Sequence, residues 1–143
     1  MFFWSLPIVL LTGYAAWTDY QNEIIDDWVV FLVLVYGLFI TLFLFPFKFE
    51  ENITYTMSMF IFLFAIYIVT GGGLGGGDIK LVTALTIFYG SNSPTLLLIA
   101  GVFAFLYFLI KGIKDRTYLN TQIIFAPSIF LATIITSIFL SQK

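Results

Sequence analysis

Residues 28–47 run without one charged side chain. As a helix rising about 1.5 Å per residue, such a stretch matches the hydrocarbon core of a bilayer, about 30 Å thick. Further apolar runs recur at Phe2–Trp17, Tyr55–Thr70, Pro94–Ile110 and Ile123–Leu140. The charges collect between them, in Asp19–Asp27, Lys48–Glu51 and Lys111–Arg116. Charged residues make up only 10% of the 143 positions, where a soluble domain carries roughly 25%. They cannot cover the surface of a soluble protein this small. The expected fold is all-α: a polytopic transmembrane helix bundle in a single domain spanning residues 1–143. Phe2–Trp17 lacks the basic start and small-residue cleavage site of a signal peptide and reads as a retained span.

One segment does not fit a simple span. Ile79–Tyr89 is apolar but too short to cross the core alone. Before it stands a run of six glycines and one leucine, Gly71–Gly77. The two together can cross if the run enters the membrane, where irregular backbone must be buried in protein or line a watery cavity. This gives about six helices, the fourth short and preceded by a Gly-rich turn. The most basic loop, Lys111–Arg116, is expected in the cytoplasm. Counting back through six crossings puts Gly71–Asp78 and Asp19–Asp27 on that same side. Asn52-Ile53-Thr54 matches a glycosylation triplet that arises often by chance and carries no weight.

The missing residues narrow the chemistry. With no His and no Cys, there is no Ser-His-Asp triad, thiol nucleophile, disulfide or zinc-protease site. No metal or cofactor is expected. The net charge of −2 gives no reason to expect a nucleic-acid partner; the bilayer is the expected surrounding. Asp78 and Lys80 alone lie inside otherwise apolar sequence, and an ionisable group there is a functional candidate. A helix N-cap would account for Asp78 but not for the glycines, which let a second backbone come close. Asp19, at the end of the first apolar run, lies on the same side by the helix count. Two carboxylates brought together share a proton, one acting as base on water and the other as acid on a carbonyl. Asp78 at a helix start is expected to be the base, and Asp19 at a helix end the proton carrier.

The neighbouring charges have plainer readings too. Asp27 is the expected cap of the second helix, and with Glu23 and Asp26 it forms an acidic patch suited to a basic peptide. Lys80 either reaches the interface or offsets a nearby negative charge. Pro127 falls inside the last apolar run, where it would kink a helix.

These residues resemble a known family. Gly75-Gly76-Gly77-Asp78-Ile79-Lys80-Leu81, with Gly90 downstream, is similar to the G-x-G-D-x-K-L segment of the type IV prepilin peptidases. Asp19, followed by the polar stretch to Ile25, Asp26 and Asp27, resembles that family's first catalytic segment, which usually has Pro where Asp26 stands. Residues 123–132 resemble in part the Pro-containing element of its last helix. The resemblance implies an intramembrane aspartic endopeptidase of the GxGD type in the cytoplasmic membrane. Its catalytic residues would be Asp19 and Asp78. Gly75, Gly77, Glu23, Asp26, Asp27, Lys80 and Pro127 would meet the substrate. The implied substrate is a prepilin-like precursor, a basic leader followed by an apolar helix, cut at the cytoplasmic face, typically after Gly. The chain opens at its first helix and has no Cys, so the methylation activity of larger members is not expected. Presenilin-like GxGD proteases and a small ion or proton translocator are the alternatives.

Overall fold

A computed structural model describes residues 2–115 and 125–141, with side chains for 3–110 and 125–139. Among them are six α-helices: α1 (Phe2–Asn22), α2 (Asp27–Phe43), α3 (Phe49–Val69), α4 (Gly76–Tyr89), α5 (Ser93–Asp115) and α6 (Ala126–Ser141). Short 3₁₀ turns at Pro46–Lys48 and Gly90–Asn92 lead into α3 and α5. Since α4 and α5 join through such a turn without a break, the continuous helical stretches number five, one fewer than expected. Two of these, Pro46–Val69 and Gly76–Ile110, are long and apolar enough to cross a membrane.

The boundaries depart from the apolar runs for local reasons. The first helix continues past Trp17 to Asn22, so Asp19 sits in its last turn instead of ending it. The second stops at Phe43, because Pro46 opens the next 3₁₀ turn and disfavours helix in the residue before it. The third starts at Phe49, well before Tyr55. Glu50 and Glu51 fill its first turn, where negative charge complements the helix dipole. The backbone of residues 111–115, expected as loop, continues α5; Arg116, Ile123 and Ile124 lie outside the described residues. The expected kink at Pro127 does not arise. That residue is second in α6, where a missing N–H breaks no helical hydrogen bond.

Helix α4 is the packing centre. It lies between α2 and α3, while α1 and α5 both pack on α6. Most of its residues, from Asp78 to Tyr89, are buried. The outer surface instead carries large apolar side chains such as Leu10, Trp17, Phe31, Phe43 and Ile61. That inversion suits lipid as solvent.

The seams use small residues and short hydrogen bonds, as helix contacts in lipid require. A Cβ on Gly37 would meet Ile87 Cγ2 at 2.7 Å, and one on Gly13 would meet the Phe130 ring at 3.0 Å. The hydroxyls of Thr12 and Thr133 join α1 to α6 at 3.1 Å. The Tyr89 hydroxyl lies 2.7 Å from Ser137 Oγ, joining α4 to α6. At the C-terminal end of α4 the Ile87 carbonyl accepts from Thr41 Oγ1 (3.0 Å) and Asn52 Nδ2 (2.9 Å). Asn52 is thus buried, on helix, and tied to its neighbour.

Candidate active site

Four chain segments meet at one end of the bundle. The first is the last turn of α1. It closes when the Glu23 N–H donates to the Asp19 carbonyl at 2.9 Å, with Glu23 in the left-handed region at φ 56°. The chain then reverses through Ile24–Asp26 into α2. Ile25 is buried and anchors this reversal against the start of α4, where a Cβ on Gly77 would lie 3.2 Å from Ile25 Cβ.

The second segment is the Gly-rich turn. Gly71 and Gly72 take φ of 60° and 89°, which other residues adopt with difficulty. The start of α4 comes next, carrying Asp78. Its carboxylate folds back over Gly75, where a Cβ would stand 2.8 Å from Asp78 Oδ2. Around Gly76 a Cβ would find nothing within 4 Å. Two of the three glycines before Asp78 therefore answer a steric demand, and the middle one does not.

The last segment is the N terminus of α6. The Ala126 N–H donates to Asp19 Oδ2 at 3.2 Å. Asp19 and Asp78 are 8% and 9% exposed, and both line one cleft of about 450 Å³. Glu23, Asp26, Asp27, Gly75, Gly77 and Lys80 line it as well, so the structure gathers every site residue expected from sequence except Pro127. Pro127 follows the residue that holds Asp19 and faces neither this cleft nor the apolar one beside it.

Several expected roles change. Asp27 does not cap α2. The N-cap position belongs to Asp26, which makes no capping side-chain hydrogen bond. Asp27 instead pairs with Lys80, Oδ1 to Nζ at 2.7 Å, with both side chains largely exposed at 78% and 57%. Lys80 therefore offsets a negative charge, one of the two roles open to it. Asp26 has φ −64° and ψ 126°, the backbone that proline would impose.

The two carboxylates meet different neighbours. Asp19 faces the N terminus of α6, whose amide and dipole favour an anion. Among the described residues, Asp78 Oδ1 is buried without a hydrogen-bond partner.

The sequence model of the type IV leader peptidase family matches residues 5–109. The chain belongs to the type IV leader peptidase family. The match spans both carboxylates and the Gly-rich turn, and it sets the chain among proteases of the leader peptidase type. No curated protein and no solved structure matches it.

Sequence reading missed two features of this leader peptidase site. The Ala126 amide carries no side-chain signal and lies 107 positions from Asp19. The second is an apolar cleft of about 370 Å³ that shares Gly75 and Asp78 with the acidic one. Its other walls, Leu74, Gly101, Ala104, Phe105, Phe108 and Phe125, are indistinguishable in sequence from lipid-facing residues.

Proposed function

We propose that this chain is an aspartic endopeptidase that removes the basic leader from prepilin-like precursors at the cytoplasmic face of the cell membrane. The observation carrying the reading is the pairing of two buried carboxylates, Asp19 and Asp78, in one cleft at the end of a membrane-type bundle. Its acidic rim complements a basic leader. Lys80 offsets Asp27, while Glu23 and Asp26 are in no ion pair among the described residues.

In this reading the Asp19 carboxylate takes a proton from water as the water oxygen bonds to the scissile carbonyl carbon. Asp78, carrying its proton, gives it to the carbonyl oxygen, and a neutral tetrahedral diol forms. A proton then passes from Asp19 to the amide nitrogen, and the C–N bond breaks. One diol hydroxyl returns its proton to Asp78 as the new acid forms. Both groups end as they began. The Ala126 amide steadies the anionic state of Asp19 between turnovers.

Asp19→Asn and Asp78→Asn test the reading. An amide is nearly isosteric with the acid but cannot exchange this proton. Each variant should insert and fold, yet release no leader from a precursor with a basic leader, a Gly and an apolar helix. The double variant should be no worse than either single one, because residues acting as a unit are not additive. Leader release near the wild-type rate by either folded single variant would sink the proposal.

A further inference from the structure

Resting on the proteolytic reading above, we infer that the apolar cleft beside Asp78 is the subsite for the apolar residues that follow the scissile bond, and that Gly101 keeps it open. Among the described residues, the acidic and apolar clefts share only Gly75 and Asp78 along their walls. A peptide lying across Asp78 therefore has one chemistry on each side of the bond to be cut: carboxylates toward one end, aromatic and aliphatic side chains toward the other. A precursor with a basic segment followed by an apolar one has the matching polarity. A lipid chain could use the apolar side only, and gains nothing from ending at a carboxylate.

The backbone around the junction suits an extended guest. Among the described residues, the N–H groups of Gly73, Leu74 and Gly75 enter no backbone hydrogen bond. They are open to donate hydrogen bonds to a peptide's carbonyl oxygens. The apolar cleft then continues along α5, where Gly101 faces it as a gap in the wall. Among the described residues, a Cβ there would meet nothing within 4 Å. A side chain at this position starts from the wall of that cleft.

That property makes the test specific. The enzyme, in lipid nanodiscs, is given two synthetic precursors that differ at one position. Each has a basic leader, a Gly and an apolar helix, with either Phe or Ala directly after the scissile bond. Gly101→Phe should lower kcat/KM for the Phe precursor by about tenfold or more, the scale of a misfit in an apolar pocket, and for the Ala precursor much less. Equal effects on the two precursors, or none, would overturn the subsite while leaving the protease reading intact. That outcome would leave the cleft as a lipid contact. Wild-type enzyme that cuts neither precursor would overturn both. Since the chain contains no Cys, Gly101→Cys supplies a readout independent of turnover. In the Asp78→Asn background the Phe precursor should slow maleimide labelling of this cysteine, and a rate unchanged by saturating precursor counts against the inference.

Discussion

At the scale of single residues, the glycines before Asp78 separate by what a methyl group would strike. Gly75 leaves room for the Asp78 carboxylate and Gly77 for Ile25, while Gly76 faces open space. Gly75→Ala and Gly77→Ala should each lower leader release at least about tenfold, the first by displacing the carboxylate, the second by pushing the α1–α2 reversal away from α4. Gly76→Ala, whose methyl group enters the cleft without striking the described residues, should lower release less than either. It should also stabilise the first turn of α4, since glycine in a helix is about 0.5–1 kcal/mol worse than alanine. Rates and unfolding curves for the three single variants check this ordering. Loss of activity in Gly76→Ala alone would refute it. Asp26 supports a second prediction. Its φ of −64° suits proline, and among the described residues its N–H donates no backbone hydrogen bond. Asp26→Pro should therefore stabilise the protein by about 0.4–1 kcal/mol through the unfolded chain, read as a rise in thermal midpoint.

At the scale of helices, most of the architecture is legible in the sequence, because apolar runs of bilayer length have few alternatives. The ends of those helices are less legible. Hydropathy ends the first helix at Asp19, yet the backbone carries on to Asn22 because a polar last turn breaks no helical hydrogen bond. Hydropathy also puts Pro127 mid-helix, since Ile123, Ile124 and Phe125 are as apolar as Ile129, Phe130 and Leu131. The carboxylate pair could be named from two short motifs and a helix count. The Ala126 amide that holds Asp19 could not, because it belongs to the backbone of another helix. Gly90 makes the same point at the far end of α4. In sequence it is one glycine downstream of Asp78. In the fold it ends the helix at φ 51° and ψ −123°, and a Cβ there would strike the Asn52 carboxamide. Gly90→Ala should thus destabilise the protein by about 1–3 kcal/mol from backbone strain, with more from the clash. In an Asn52→Ala background the clash component should vanish and the strain remain. A double-mutant cycle followed by thermal unfolding measures the difference, and a full penalty in both backgrounds would assign all of it to strain.

At the scale of the whole molecule, the short α4 sets the depth of the site. Its 14 residues make a rod of about 21 Å, against a hydrocarbon core of about 30 Å. Its C-terminal end packs beside the start of α3, where Lys48, Glu50 and Glu51 mark one polar boundary. On the proposed membrane reading, Asp78, near the other end, would lie short of the opposite boundary. The acidic cleft and the glycine turn would bring water down to it, the condition for irregular backbone at that depth. Cysteine scanning on the Cys-free chain examines this arrangement. Gln21 and Glu51 are exposed and belong to opposite ends of the bundle, and Gly76 has space for a side chain beside Asp78. In sealed vesicles of known orientation, Gln21→Cys should react with an impermeant maleimide from the cytoplasmic side, and Glu51→Cys from the other. Gly76→Cys should react from the same side as Gln21→Cys, but more slowly, because the reagent must enter the cleft. Labelling of positions 21 and 76 from opposite sides would contradict a shared cleft in the membrane. Labelling of both from the external side would keep the cleft and overturn its cytoplasmic orientation.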